Sequence, residues 1–314
     1  MIFDQKTRIL VTGANGMVGK AVVKVLSKNS NTHLLCPNRK ELDLRSKTKV
    51  FEYFESHKPD YVFMIAAKVG GIKANMDEPV AFLNDNLKIQ LNLFEACYKY
   101  KPKKNMFIGS SCIYPKNCPQ PMKEEYLLTG KLEPTNEGYA LAKIIGLKMA
   151  EYYYQKHGMI TVCPMVCNIY GTNDNFNLNN SHVLSAMIKR FVDAKKEGVK
   201  QVELWGTGTP TREFIHVDDV ARGLIYLIEN VDDARIINLG TGNDISIKAL
   251  SHLISKIVKF EGKIIWDTSK PDGMQKKCLD VSVLNNLGFK HKIELEEGIQ
   301  QTVSEYRNIL KREL

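Results

Sequence analysis

The stretch ThrArgIleLeuValThrGlyAlaAsnGlyMetValGlyLysAlaValValLysValLeu, residues 7–26, decides the fold. Residues 7–12 are mostly apolar and β-branched, as a short buried strand requires, and from 18 to 26 the apolar residues recur at helical spacing. Between them stand Gly13, Gly16 and Gly19. Glycine at a strand-to-helix junction permits a tight turn, lets backbone amides reach a pyrophosphate, and lets the helix pack closely on the sheet. Three glycines alone are a weak signal. The strand before them and the helix after them make Gly13, Ala14, Asn15, Gly16, Met17, Val18 and Gly19 a candidate dinucleotide cradle rather than a plain structural turn.

Outward from this turn, apolar β-branched runs alternate with amphipathic stretches of helical length, the pattern of a parallel sheet covered by helices. Strands are expected at 33–36, 61–65, 105–109 and 160–163, and helices at 47–56, 79–100 and 138–156, with Pro79 in the first turn of its helix. After Tyr170 an Asn- and Gly-rich loop, 171–180, precedes a helix over 181–196. Short strands at 202–205 and 236–239 and helices at 217–229, 247–258 and 295–310 follow. The expected fold is α/β, a Rossmann-type doubly wound parallel sheet. Residues 1–170, with a returning segment near 212–240, are expected to form the nucleotide-binding domain, and 171–314 a smaller, interleaved substrate-binding part.

With 314 residues, 44% hydrophobic and 25% charged, the chain has a globular composition, neither disordered nor fibrous. Residues 1–10 run directly into a strand-like segment without the basic start, apolar centre and cleavage site expected of a secretion signal, and no run approaches the ~18 apolar residues of a membrane span. A cytoplasmic protein without a membrane partner is expected. The seven cysteines at 36, 97, 112, 118, 163, 167 and 278 form no CxxC pair and have no histidines at zinc spacing, so reduced thiols and no metal are expected. The net charge of +9 comes from lysines spread along the whole chain. That distribution reads as a solvated surface rather than a nucleic-acid site, and suits small ligands that carry pyrophosphate.

An acidic residue at the end of the second strand would grip the ribose hydroxyls of NAD. Here ProAsnArg, 37–39, follows the strand, and Arg39 can pair with a 2′-phosphate, which favours NADPH/NADP+. The ordinary alternative is that Arg39 snorkels from a surface loop. Asp43 and Leu44 are placed to border the adenine. Tyr139 and Lys143 stand four apart and share a helix face, where an adjacent ammonium lowers a tyrosine pKa by favouring phenolate. The pairs Tyr100/Lys104 and Tyr152/Lys156 have the same spacing. Only Tyr139 follows, at a domain-sized interval, a strand ending in GlySerSer, 109–111. A serine at the carboxyl end of a parallel strand can donate to a carbonyl oxygen that becomes an alkoxide. Ser110, Tyr139 and Lys143 are therefore the candidate machinery for ketone reduction, and Tyr152 reads as packed in the core or an interface.

Seven blocks in order carry a closer resemblance: AlaAlaLysValGlyGlyIle (66–72), GlySerSerCysIleTyrProLys (109–116), LeuGluProThrAsnGluGlyTyrAlaLeuAlaLys (132–143), AspAsnPhe with AsnSerHisVal (174–183), TrpGlyThrGlyThrPro (205–210), ArgGluPheIleHisValAspAsp (212–219) and LysProAspGly (270–273). Over nearly its whole length the chain resembles the GDP-L-fucose synthases, extended short-chain dehydrogenases whose glycine turn has this GxxGxxG spacing. The resemblance implies an NADPH-dependent conversion of GDP-4-keto-6-deoxy-D-mannose, with inversion at C3 and C5 followed by reduction at C4. A C4 ketone acidifies the hydrogens on both flanking carbons, so deprotonation on one face and reprotonation on the other inverts each centre. Two proton carriers are needed besides the tyrosine.

The resemblance implies that Cys112 is the base and His182 the acid; ordinary pKa values of about 8.5 and 6.5 put both within reach of neutral pH. Taken alone, Cys112 reads as a small buried hydrophobe and His182 as a helix-start residue. Dinucleotide contacts are implied at Ala66, Ala67, Lys68, Ile108, Gly109, Ser110, Tyr139, Lys143, Val166, Cys167, Asn168, Ile169 and His182. Contacts to the GDP-sugar are implied at Ser111, Cys112, Asn168, Val183, Arg190, Trp205, Arg212 and Asp272, with arginine forks on diphosphate and the indole on a sugar or base face. The helices at 79–100 and 138–156 resemble those that pair in a four-helix contact, which implies a homodimer.

Two departures stand out. Asn15 occupies a place where the family often has a basic residue, and ProMetValCys, 164–167, replaces a motif that usually puts proline and threonine just before the asparagine. Other readings stay open. The substrate is alternatively a related GDP-4-keto sugar, such as a 6-deoxyheptose or a 3,6-dideoxyhexose, because the recognition residues see mainly GDP and the keto group. Dehydratases and simple 4-epimerases share the fold, but the dehydratases put an acidic pair where Ser111 and Cys112 stand. A dinucleotide-sensing regulator would commonly lack the tyrosine or the lysine, and both are present.

Overall fold

A computed structural model describes residues 3–312 apart from 5, 29–31, 179, 180 and 271. The end of the 171–180 loop, Asn180 of the 180–183 block and Pro271 of the 270–273 block therefore lie outside the described residues. Elements are numbered in chain order. The first sheet contains β1 (Arg8–Thr12), β2 (His33–Leu35), β3 (Tyr61–Met64), β4 (Lys104–Phe107), β5 (Gly109–Ser110), β6 (Thr161–Val166) and β10 (Ile236–Leu239), in the order β10-β6-β4-β3-β1-β2 with β5 beside β6. Every pairing in it is parallel.

From β1 the chain crosses one way to β2 through α1 (Met17–Leu26); it returns the other way through α2 (Lys47–His57), α4 (Pro79–Tyr100) and α5 (Glu137–His157). Right-handed crossovers in opposite directions put helices on opposite faces. In agreement, α2 and α5 both pack on α4, while α1 packs with α7 (Val217–Asn230). This is the expected doubly wound sheet. Its strands are buried on both faces and so read as continuous apolar runs such as IleLeuVal, 9–11, each 0% exposed.

A second, smaller core lies under α6 (Val183–Glu197), α8 (Ile247–Val258) and α10 (Leu295–Arg312). Its strands are β7 (Asn168–Tyr170), β9 (Thr211–His216), β11 (Asp244–Ser246) and β13 (Lys276–Lys277) in one sheet, and β8 (Gln201–Trp205) with β12 (Lys263–Asp267) in another. The short helices α3 (Ile72–Asp77) and α9 (Ser282–Asn286) complete the chain. Strand β9 joins the two cores because successive side chains point to opposite faces: Phe214 packs into the second core and Ile215 into the first. The polypeptide returns to the first sheet only after β9, through α7 and β10.

The expected helices at 79–100 and 247–258 and the strand at 236–239 have those bounds in the structure. Two strand expectations need correction. The strand at 105–109 is interrupted after Phe107, and the one at 160–163 continues to Val166. The strands β7, β9, β11, β12 and β13 were not expected; β7, β11 and β13, at two or three residues, are too short for a legible alternation. Among the described residues no helix is long and apolar enough to cross a membrane.

Candidate active site

Thr12 ends β1 and locks it to β3. Its Oγ1 donates to Phe63 O at 3.0 Å and accepts from Ile65 N at 3.1 Å and Ala66 N at 3.3 Å. Gly13 then turns with φ +71°, and Gly16 N donates to Gly13 O at 3.0 Å. A Cβ on Gly19 would lie 2.1 Å from Gly13 O and 2.7 Å from Ala14 Cα, so α1 approaches the turn as only glycine allows. Helix α1 begins after Gly16 with no side-chain cap and no acidic residue in its first turn. Unsatisfied N–H groups and the positive end of the helix dipole therefore suit an anion, and the 13–19 turn fits a dinucleotide pyrophosphate.

The remaining cofactor candidates surround this turn. Arg39 is exposed beyond β2. The Asp43 carboxylate is gripped by Arg45 at 3.0 and 2.9 Å, and these hydrogen bonds hold it well below the usual carboxylate range. Leu44 O accepts from Asn92 Nδ2 at 2.8 Å. Ala66, Ala67 and Lys68 follow β3, where Asn86 clamps the Lys68 backbone: Lys68 N donates to Asn86 Oδ1 at 2.8 Å and Asn86 Nδ2 to Lys68 O at 3.0 Å.

Across the sheet, pairing of β4 with β6 ends at Met106–Val162, and pairing of β5 with β6 begins at Gly109–Met165. Pro164, which has no N–H to give a ladder, stands at the break. Within the break, Ile108 O accepts from Lys143 Nζ at 2.7 Å. Lys143 is 4% exposed, and burial brings its pKa down to about 8. Its Nζ lies 4.7 Å from the Phe107 ring centre and 5.8 Å from that of Tyr139.

The expected effect of Lys143 on Tyr139 is corrected by this geometry. Burial, and then the neighbouring Cys112, push the phenol above its ordinary pKa, with only partial relief from a hydrogen bond with Ser110. The ammonium is turned to the Ile108 carbonyl instead of the phenol oxygen. Tyr139 thus keeps its proton at neutral pH, as a proton donor must.

Lys143 supplies a pH test. Between about 8 and 10.5 the unfolded chain binds its proton more readily than the folded one, so this group's contribution to stability grows with rising pH and is lost as pH falls through about 8. Thermal melts of the wild type and Lys143→Met should therefore diverge across that window, the wild type gaining relative to the variant. Parallel curves would show that the amine is not desolvated.

Cys112 sits in a 3-10 turn, Ser111–Ile113, directly after β5. Its amide donates to Ser110 Oγ at 3.3 Å, and its Sγ accepts from Asn136 Nδ2 at 3.1 Å and Lys277 Nζ at 3.3 Å. Burial pushes the thiol up. The Lys277 charge and hydrogen bonds involving Ser110, Lys277 and Asn136 outweigh burial and bring it below the ordinary thiol value. Asn136 and Lys277 were not singled out in the sequence. Asn136 had a local signal, three residues before Tyr139 at the end of the turn Pro134–Asn136. Lys277 had none, since only the pairing of β13 with β9 brings it here.

Ser110 is half-buried between the thiol and the phenol, whereas Ser111 is 3% exposed. His182 forms the N-cap of α6 without a side-chain capping bond, and Val183 begins that helix. The imidazole is open to solvent on one side, yet the surrounding walls and the charge of Lys277 pull its pKa down, so it rests neutral. Val166 and Cys167 are buried at the end of β6, and Ile169 lies in β7. Asn168 Nδ2 donates to Glu213 O at 2.7 Å, tying the 166–169 turn to β9. Arg212 on β9 feels Asp272, Glu133 and Cys112, and burial pulls its guanidinium below its ordinary value.

The outer substrate candidates form a second group. Asp272 accepts from Thr207 N at 2.7 Å and Thr207 Oγ1 at 2.8 Å, beside Gly206 at φ +80°. Trp205 is 57% exposed at the end of β8, with Lys270 Nζ 5.7 Å from its ring centre. Arg190 donates to Glu203 O at 3.2 Å, two residues along β8 from the indole. One cluster, Ser110–Cys112–Tyr139–Lys143–Asn136–Lys277, thus lies at the carboxyl ends of β5 and β6. Arg190, Trp205 and Asp272 form another, with Arg212 between the two.

The chain matches the NAD dependent epimerase/dehydratase family over residues 9–240. It is 44% identical to GDP-L-fucose synthase 1 of Arabidopsis thaliana over 310 residues, 98% of this chain and 96% of that protein. A crystal structure of a GDP-6-OMe-4-keto-L-xylo-heptose reductase from C. jejuni superposes with a TM-score of 0.92 at 34% identity, covering 98% of this chain and 99% of the other. That of a GDP-L-fucose synthetase from Naegleria fowleri bound to NADP gives 0.91 at 28% identity, covering 99% and 97%. Similarity that runs the length of both partners, and not only through the glycine turn, means that this chain belongs to the NAD dependent epimerase/dehydratase family and, within it, to the GDP-L-fucose synthase group.

Proposed function

We propose that the protein is a bifunctional NADPH-dependent 3,5-epimerase and 4-reductase that converts GDP-4-keto-6-deoxy-D-mannose to GDP-L-fucose. One observation carries this reading: a thiol held by an ammonium and an amide lies beside a half-buried, protonated tyrosine at the carboxyl end of β5, in the same parallel sheet whose β1 leads into the 13–19 glycine turn. A plain ketoreductase has no use for such a thiol.

Residues 13–19, with Ala66 to Lys68, Ile108 to Ser110 and Val166 to Ile169, hold the dinucleotide in this reading, and Arg39 takes its 2′-phosphate. When bound, NADPH supplies the hydrogen and electron pair that reduce the C4 ketone. Ser110 and Tyr139 hold the ketone oxygen, and the phenol gives it a proton. Lys143 anchors the helix face at Ile108 O, with its ammonium beside the Tyr139 ring. Before reduction, Cys112 removes a proton from the carbon beside the ketone and His182 returns one on the opposite face. The resting imidazole is neutral, and the negative diphosphate substrate raises its affinity for a proton. Arg190, Arg212, Trp205 and Asp272 grip the GDP-sugar, with Asn168, Ser111 and Val183 around the ring. The open Oδ1 of Asn136, buried and without a partner among the described residues, is set to accept a sugar hydroxyl.

We assign the dinucleotide to residues 1–170 with the returning 212–240 segment, and the sugar nucleotide to 171–314. Homodimerisation is part of the same proposal. Leu91 and Tyr98 on α4 and Leu141, Ile145 and Tyr152 on the adjoining α5 are exposed apolar side chains, and a second copy would cover them. The seven free thiols fit a reducing cytoplasm.

The deciding experiment is solvent deuterium exchange at C3 and C5 of GDP-4-keto-6-deoxy-D-mannose without NADPH. Wild-type protein should exchange both positions and Cys112→Ser should lose at least about 100-fold in rate. Exchange that survives the substitution removes Cys112 as base. The likeness to a heptose reductase favours one second reading, a related GDP-4-keto sugar as substrate. Comparing kcat/KM on the two sugars with NADPH separates them.

A further inference from the structure

Lys277 approaches Cys112 across 165 residues of sequence, from a strand only two residues long. That strand pairs in parallel with β9, placing Lys277 opposite Arg212. Glu213, next along β9, is 0% exposed, and its carboxylate accepts from Leu279 N at 2.7 Å and Gly242 N at 2.8 Å. On the other side, Met122 N donates to Cys278 O at 2.7 Å and Met122 O accepts from Asp280 N at 2.8 Å. The backbone around Lys277 is thus tied to two fixed segments before any substrate arrives. An ammonium so mounted needs no ordering at the moment of reaction.

Charged or titratable groups reach Cys112 from several elements: Lys277 from β13, Arg212 from β9 and Tyr139 from α5. Lys277 also acts on His182 at the start of α6 and on Cys118. Tyr139 holds its proton and Arg212 faces Asp272 and Glu133 as well as the thiol. Among the described residues, the Cys112 sulfur is the partner that the Lys277 ammonium takes.

We propose that Lys277 is the positioning residue whose ammonium stabilises the thiolate of Cys112, with Glu213 fixing the strand that delivers it. The inference rests on reading Cys112 as the base of the inversion. In that step the C–H bond beside the ketone breaks, the proton forms S–H on Cys112, and the C–H electron pair passes into the enolate. Lys277 keeps its proton throughout. Its positive charge, matched by the thiolate beforehand, then stands beside the newly formed enolate.

Alkylation of Cys112 by iodoacetamide, followed peptide by peptide with mass spectrometry across a pH series, tests the pair without any substrate. In the wild type the half-maximal rate should fall below the ordinary thiol value of about 8.5. Lys277→Met should move it up by about one pH unit or more, and so slow alkylation at neutral pH about tenfold. Lys277→Arg, which keeps the charge, should stay near the wild type. Unchanged NADPH binding confirms an intact fold in both variants. A Lys277→Met profile that overlays the wild type, or an arginine variant that shifts as far as the methionine variant, overturns the proposal.

Deuterium exchange in the same proteins separates this inference from the functional reading. A shifted profile with undiminished exchange leaves the ion pair standing and removes Cys112 from the inversion. Exchange that falls in step with alkylation supports both.

Discussion

Tyr139→Phe is expected to lower ketone reduction about 100- to 10,000-fold, the usual worth of a positioned proton donor. The phenol is half-buried between Ser110 and Cys112, and its surroundings keep it protonated. Once the C4 oxygen gains negative charge, this is the proton at hand. Phenylalanine preserves the ring and its place near Lys143, so the melting temperature should change little. Deuterium exchange at C3 and C5 should persist, because the proposed inversions use Cys112 and His182. The substitution would thereby divide the two half-reactions: NADPH consumption nearly abolished and ring exchange retained. A variant that keeps more than about a third of the reductase rate would show that another group protonates the oxygen.

Gly19→Val should abolish measurable NADPH binding by fluorescence titration. Its Cβ alone would sit 2.1 Å from Gly13 O and 2.7 Å from Ala14 Cα, and both contacts are backbone atoms that cannot rotate aside. Either α1 retreats or the turn opens, and each displaces the N–H groups that suit a pyrophosphate. Overpacking of this kind also costs stability, on the order of 1–3 kcal/mol, visible as a lower melting temperature. Gly16→Ala is the control. The nearest atom to its added Cβ is Gly13 O at 3.4 Å, an ordinary contact, so binding should weaken far less. Equal losses in the two variants would mean that the turn responds to side chains generally and not to this close approach.

Much of the fold was legible because its signals are local. A run such as IleLeuVal, 9–11, declares a strand buried on both faces, and the long helix Pro79–Tyr100 carries its periodicity and its N-terminal proline within itself. The candidate site was legible in proportion to the same locality. Ser110 and Cys112 share one turn, Tyr139 and Lys143 one helix face, and the glycines one loop. The expected direction of the Tyr139 shift was wrong for a reason that spacing cannot convey. Four residues on a helix bring two side chains near each other, but the direction of the ammonium depended on a carbonyl in the break between β4 and β5.

By itself the sequence determined the parallel sheet, the glycine turn after β1 and most of the candidate site residues, since each is encoded within a few neighbouring residues. Tertiary structure alone decided the electrostatics of the site. Pro164 opened the ladder where Ile108 O receives Lys143, β9 alternated between two cores, and Glu213 held the two-residue strand that sets Lys277 against Cys112. Charges act through space, and the distance that governs them is fixed by packing between segments far apart in the chain.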